Sequence, residues 1–248
     1  MSCSSNYIPT LSRPSQPGCL RIEIVHPFLQ LAVGLLQRGY LLLQMLLAAL
    51  LGQGLLLAAG EGARLGGRAK GAIEIAGEPL LLRGLRILSE VGVDEVVVVM
   101  GHYQSDVAPL VTQAHSPFDD DCLVEVTQPT ADHSQADSLR LGVAGLSLEG
   151  DAVMGLPVDM PALTREDLVA LIGAYKHADP GIEFVGPIVG ARPGNPVLFS
   201  QRIASQIARG EGDFGSGAWR HQRPDWLLEW QTDNPHYVTD IDTPNDLD

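Results

Sequence analysis

The sequence predicts an α/β fold in which helices flank a mostly parallel β-sheet. Three observations carry that expectation. From residue 54 onward, short apolar runs alternate with stretches of helical periodicity, the order in which strands and crossover helices follow one another in a parallel sheet. Residues 95–100 (EVVVVM) form a β-branched run with the length and composition of a strand covered on both faces. Residues 55–59 (LLLAA) form another apolar run, which feeds straight into a turn holding Gly60, Gly62, Gly66 and Gly67, where the missing Cβ permits backbone that other residues avoid.

The elements follow in order. Residues 55–59 are the first, fully buried strand. Residues 79–91 (PLLLRGLRILSEV) put Leu81, Leu85 and Leu88 on one helical face, and Gly92 stops the helix. Residues 95–100 are the second strand, 107–114 a short helix, 123–127 the third strand and 137–146 another helix. The fourth strand, 151–156 (DAVMGL), runs into Pro157-Val158-Asp159-Met160-Pro161. Thr164 then caps a helix through residue 174, with Asp167 at its third position in a near-capping box.

The first fifty residues fit this pattern poorly. Residues 1–18 are rich in Ser, Pro and Asn and read as a disordered start, and residues 28–51 are strongly apolar with Arg38 in their middle. A membrane span wants about 20 apolar residues without a charge, and a signal peptide places its cations first; neither pattern is met. Residues 1–50 are therefore expected to be an N-terminal extension, and residues 51–248 the single domain. The extension is an amphipathic helix packed on the domain or a stretch upstream of the true start, with Met45 the nearest internal methionine. A membrane-associated anchor is the remaining alternative.

A chain of 248 residues can bury one large core. Apolar residues at 45% argue against disorder, and aromatics at only 5% mean that the core is built from Leu, Val, Ile and Ala. The formal net charge of −14 disfavours nucleic acid or an anionic membrane as partner. It also obliges any site for a polyanion to create its own local positive field. Cys3, Cys19 and Cys122 show no CxxC spacing and fit the reduced thiols of a cytoplasmic protein.

The stretch 55–70 (LLLAAGEGARLGGRAK) is built to hold phosphates. Its glycines let successive N–H groups point at one anion. Arg64 adds a planar fork of donors, and Lys70 a mobile point charge. The chain has two lysines, Lys70 and Lys176, against fourteen arginines, so a lysine in this loop is unlike the chain's other surface cations. A second candidate is Asp159, which stands at the end of a buried strand between two prolines and faces the crevice where open α/β sheets bind ligands. Mg²⁺ takes one or two carboxylates together with phosphate oxygens and water.

The loop matches neither a Walker sequence nor the G-x-G-x-x-G of a dinucleotide fold. It resembles LAAGxGxRxGxxK, the signature of nucleotidyltransferases similar to molybdenum cofactor cytidylyltransferase. The resemblance covers residues 54–248 and implies a Rossmann-like, GT-A-like sheet. It places Leu57, Ala58, Ala59, Gly60 and Gly62, with Arg64 and Lys70, around an NTP. Asp159 matches the DMP motif in which the family keeps its metal-binding Asp, although Pro157 and Val158 depart from the usual approach to it. Residues 194–199 (GNPVLF) resemble G-H-P-V-L-F on the acceptor side, with Asn195 in place of His. Residues 240–247 (DIDTPNDL) resemble D-I-D-T-P-E-D-L, in which the first or second Asp can complete the metal site; of Asp240 and Asp242 the choice falls on Asp242, because Thr243 and Pro244 would start a terminal helix and leave it at the N-terminal edge.

Residues 128–142 lie where the family hydrogen-bonds the base. Ser134, Ser138 and Arg140 keep part of that segment, and Asp132 and His133 replace its glycine-rich entry. Arg64, Lys70 and Asp159 are thus the expected catalytic residues, Ser138 a nucleotide-binding one, and Mg²⁺ the cofactor. CTP and a molybdopterin-type acceptor are the implied substrates, with a molybdoenzyme client as a possible partner. Ala58-Ala59-Gly60 goes with cytidine donors in the family, as Ala-Gly-Gly goes with guanosine ones. The alternatives that stay open are a guanylyl- or sugar-phosphate nucleotidyltransferase, a glycosyltransferase, and a non-catalytic nucleotide-binding maturation factor. A glycosyltransferase would be expected to show a D-x-D motif, which residues 158–160 lack.

Overall fold

The computed structural model describes residues 52–114, 123–127, 134–211 and 223–247. The elements run β1 (Gly52–Ala58), a hairpin of β2 (Glu74–Ile75) and β3 (Glu78–Pro79), α1 (Leu80–Glu90), β4 (Val93–Met100), α2 (Gln104–Gln113), β5 (Leu123–Thr127), α3 (Gln135–Ala144) and β6 (Ala152–Pro157). They continue with α4 (Arg165–Lys176), β7 (Phe184–Val189), β8 (Arg192–Pro193), β9 (Val197–Ser200), α5 (Gln201–Ala208) and β10 (Leu227–Thr232). The main sheet has the order β10-β7-β9-β6-β1-β4-β5, with β8 paired to β7. Strands β5, β4, β1 and β6 form a continuous parallel ladder, β9 runs antiparallel between β6 and β7, and β10 lies parallel to β7. This is the mostly parallel sheet that the alternating pattern predicts.

Period-two alternation divides the core between the two faces of the sheet. Leu56, Val96, Val98 and Met154 face one side, where they pack with Leu81, Leu85 and Leu88 of α1, Val107 and Val111 of α2, and Leu168 and Leu171 of α4. Their neighbours Leu55, Val97, Val99 and Val153 face the other side, against Val143 of α3 and Ile203 and Ile207 of α5. Phe184 and Phe199 add the main aromatic contact on this second face, with ring centroids 5.7 Å apart.

The strands expected from the sequence appear as β1, β4, β5 and β6, each within a few residues of its expected ends. Thr164 caps α4 in a complete capping box, and Gly92 follows α1 with φ +79°. Helix α2 starts three residues earlier than the apolar periodicity suggests. Its first turn, Gln104, Ser105 and Asp106, carries no apolar signal and is closed by the carbonyls of Gly101 and Tyr103. The β2–β3 hairpin was not foreseen either: its two-residue turn needs positive φ at both Ala76 (53°) and Gly77 (82°), and alanine does not advertise that conformation. The N-terminal extension, the three cysteines, residues 128–133, His115, His221 and Trp219 lie outside the described residues. Among the described residues no helix is long and apolar enough to cross a membrane.

Candidate active site

Strand order reverses beside β1: the chain goes from β1 to β4 and β5 on one side, then returns to β6 on the other. Such a switch point leaves a crevice at the C-terminal ends of the strands, and there the loop after β1 meets the turn after β6. The loop is shaped by two single-turn helices. The first, Ala63–Leu65, is bracketed by Gly62 (φ +54°) and Gly66 (φ +73°), and the N–H groups of Leu65 and Gly67 both donate to the Gly62 carbonyl, at 2.8 and 3.2 Å. A Cβ on Gly62 would lie 2.3 Å from the Arg68 carbonyl oxygen, so no side chain fits there. Buried Leu65 and Ala69 pin the loop to the core, and Lys70 opens the second helix, Lys70–Ala72.

From β6 the Val158 N–H donates to the Leu57 carbonyl at 3.1 Å, which holds the 157–161 turn against the end of β1. Asp159 thereby faces the loop, with its Oδ2 2.6 Å from Lys70 Nζ. Asp242 arrives from the C-terminal segment: its Oδ1 is 2.7 Å from the same Nζ, and its Oδ2 is 3.1 Å from Arg64 Nη1. The Ile241 N–H, bonded to the Asp159 carbonyl at 2.9 Å, fixes how the two acidic segments lie against each other. The structure therefore brings Arg64, Lys70, Asp159 and Asp242 together from three separate stretches of chain: the loop after β1, the turn after β6 and the C-terminal segment.

Burial differs sharply across this cluster. The side chains of Lys70 and Asp159 are 14% and 19% exposed, that of Asp242 40%, and that of Arg64 74%. Burial pulls the Lys70 ammonium toward a lower pKa, but its hydrogen bonds to Asp159 and Asp242 outweigh that pull and hold it above the ordinary lysine value. The hydrogen bond from Lys70, with the charges of Lys70 and Arg64 behind it, holds the Asp242 carboxyl below its usual range. Both groups are ionised at neutral pH. The exposed Arg64–Asp242 pair is worth about 0–1 kcal/mol, so Arg64 can turn to a ligand at little cost.

A cleft of about 300 Å³ opens beside the cluster, lined by Leu57, Ala59, Gly60, Lys70, Ser138 and Asp159. Ser138, on α3, is only 5% exposed. Ala58 instead packs toward the α1 side of the core, and Gly62 serves the loop backbone. Glu61, Gln135, Pro157 and Val158 also line the cleft, and the sequence reading assigned none of them a part in binding. Gln135 is the first residue of α3, two positions before the start that the sequence predicts for that helix. The donor set suits a hard divalent cation: two carboxylates turned toward one positive charge, with all-oxygen ligation. Two cations against two carboxylates leave the cluster formally neutral, so a triphosphate entering it needs a further positive charge. Among the described residues there is no group of three or more acidic, His or Cys side chains that could hold a metal unaided.

Of the other residues considered, His102 is exposed and sits edge-on to the Tyr103 ring at 4.7 Å. Trp226 is stacked by the guanidiniums of Arg202 and Arg223, each 4.4 Å from its ring, and Trp230 meets Tyr237 edge-on at 5.5 Å.

A parallel sheet that gathers cations and carboxylates at its switch point places the protein among α/β proteins that handle phosphorylated ligands there. Over residues 54–227 the chain matches the MobA-like NTP transferase domain, and it belongs to that family of nucleotidyltransferases. Solved structures share the fold. Rv0371c of Mycobacterium tuberculosis is 23% identical with a TM-score of 0.63, covering 79% of this chain and 95% of its own; it has also been solved in complex with manganese. A nucleotidyl transferase of Methanothermobacter is 21% identical with a TM-score of 0.63, covering 78% and 93%. The CMP:2-keto-3-deoxy-manno-octonic acid synthetase, solved with CTP, is 15% identical with a TM-score of 0.55, covering 78% and 93%. Among curated proteins none matches the chain significantly.

Proposed function

We propose that the protein transfers the cytidylyl group of CTP to the phosphate of a molybdopterin-type acceptor. The observation that carries this reading is the convergence of Lys70 and Arg64 on Asp159 and Asp242 at the mouth of the cleft formed by Leu57, Ala59, Gly60 and Ser138. Manganese in one fold neighbour and CTP in another support it, as does the family's chemistry.

In this reading an acceptor phosphate oxygen attacks the α-phosphorus of CTP. The new P–O bond forms as the bond to the β-phosphate oxygen breaks, and pyrophosphate leaves with the electron pair. No protein nucleophile is needed, so catalysis is positioning and charge neutralisation. The loop glycines bring backbone N–H groups to the phosphates, and Arg64 swings from Asp242 onto phosphate oxygens. Lys70, held half-buried, presents its ammonium where charge develops, and Ala59 and Ser138 border the base slot. Asp159 and Asp242 would hold Mg²⁺, which supplies the additional positive charge that a triphosphate requires.

Thermal-shift measurements with CTP, GTP, ATP and UTP, each with and without Mg²⁺, test the donor. A true donor at about 100 times its Kd adds roughly 2.7 kcal/mol, so CTP with Mg²⁺ should give the largest gain. Pyrophosphate release on adding a molybdopterin acceptor tests turnover. Binding without release would instead mark a nucleotide-binding maturation factor.

A further inference from the structure

Asp167 does more than cap α4. Its Oδ2 accepts from the Thr164 N–H and hydroxyl at 2.8 and 2.9 Å, which completes the capping box. The same carboxylate, with its side chain only 9% exposed, takes two further donors from a segment almost seventy residues later. Asn234 Nδ2 donates to Oδ1 at 2.6 Å, and His236 Nδ1 lies 2.8 Å from Oδ2; a carboxylate there can only accept, so Nδ1 carries the proton. The Tyr237 hydroxyl donates to the Asp167 backbone carbonyl at 2.7 Å. Asn234 Oδ1 in turn accepts the His236 N–H at 3.0 Å, which fixes the turn from which these groups project.

From this anchor the chain leads directly to the candidate active site. The carbonyl of buried Tyr237 accepts the Asn195 N–H at 2.8 Å, the Ile241 N–H bonds to the Asp159 carbonyl at 2.9 Å, and the next residue is Asp242. We infer that Asp167, through Asn234 and His236, positions Asp242: the hub fixes one end of a short strap whose other end carries the carboxylate that meets Lys70 and Arg64. None of these groups touches the reacting atoms. They act by setting where Asp242 stands, and the inference rests on the reading of Asp242 as a metal ligand.

The strap can be loosened without opening the capping box, because His236→Ala and Asn234→Ala leave the Thr164–Asp167 bonds in place. The measurement is Mn²⁺ binding to the full chain at saturating CTP, followed by electron paramagnetic resonance, with Asp242 intact and again in an Asp242→Asn background. Losing groups that orient a metal ligand typically weakens metal binding by 10- to 100-fold. The double variant should therefore raise the half-saturating Mn²⁺ about 10-fold when Asp242 is present and leave it unchanged when Asp242 is Asn. His236→Gln, which can still donate to Asp167, should restore most of the affinity lost in His236→Ala. Equal weakening in both backgrounds, or none in either, overturns the inference while the reading of the site stands. If Asp242→Asn alone leaves Mn²⁺ binding unchanged, the metal-ligand reading itself fails, and the inference fails with it.

Discussion

Replacing Gly62 by alanine should damage the loop after β1 far more than the same replacement at Gly66, and the structure supplies the reason. Both glycines have left-handed backbone, φ +54° and +73°, which costs an L-residue roughly 1–2 kcal/mol. At Gly66 nothing lies within 4 Å of an added Cβ, whereas at Gly62 the Cβ would sit 2.3 Å from the Arg68 carbonyl oxygen. That overlap is with backbone, so no side chain can move aside to relieve it. The loop must open, and the two hydrogen bonds that end on the Gly62 carbonyl, worth about 1 kcal/mol each, are then at risk. Gly62→Ala should thus cost about 3–4 kcal/mol and Gly66→Ala about 1–2. In a domain of this size each kcal/mol lowers Tm by about 2–4 °C. If the loop instead yields locally, the excess of about 2 kcal/mol appears as a roughly 30-fold weaker Kd for CTP. Calorimetric Tm and CTP titration on both variants capture either route. Should the two alanines match in Tm and in Kd, the close approach between Gly62 and Arg68 does not govern the loop.

Other expectations follow from the site. Lys70→Ala should lower turnover by about 10²- to 10³-fold, the scale of one preorganised electrostatic donor; Asp159→Asn should show mainly as a raised half-saturating Mg²⁺, and equal, small effects from both would remove these residues from the chemistry. On the proposed reading, in which the Ala59 methyl narrows the base slot, CTP should exceed GTP in kcat/KM by roughly 10- to 200-fold and Ala59→Gly should shrink that ratio; a wild-type preference for GTP refutes the donor assignment. Because the Asp242 pKa is depressed in the fold, its contribution to stability is present above the unfolded carboxyl value of about 3.9 and is lost as pH falls through the folded value. The raised Lys70 contributes below about 10.4 and fades as pH rises through its folded value. The stability gap between wild type and Asp242→Asn, read by urea unfolding, should therefore stay flat from about pH 5 to 9 and narrow below about pH 4. A change in that gap near neutrality would implicate a different group.

Much of this was legible because the relevant signals are local. Leu55 and Leu56 followed by glycines, a valine run, and an acid between two prolines each announce an element or a turn within a few residues. The strap was not legible: Asp167 reads as a helix cap, and its partners Asn234 and His236 lie 67 and 69 positions away in a segment with no periodicity. Hydrogen bonds between distant polar side chains leave no trace in a hydrophobic pattern. The part played by Lys70 was half visible. Its place in the loop suggested phosphate, but that it also joins the two carboxylates depends on β6 lying beside β1, which no single segment encodes.

The antiparallel course of β9 bears on how the rim of the sheet is divided. Val197 pairs with Gly155 and Ser200 with Ala152, so β9 enters the sheet at the end where β6 leaves it. The 194–196 turn therefore stands at the same rim as the 157–161 turn, although the two strands point in opposite directions. One part of that rim is made by chain leaving β1 and β6, and the part beside it by chain arriving at β9. The two meet along a seam only four residue pairs long. Substitutions at the β9 entrance can reshape that neighbouring part while the β6-β1-β4 ladder beneath the loop after β1 keeps its register. Such a division lets the chain before β9 vary in length and shape while the loop and turn that gather Arg64, Lys70 and Asp159 keep their places.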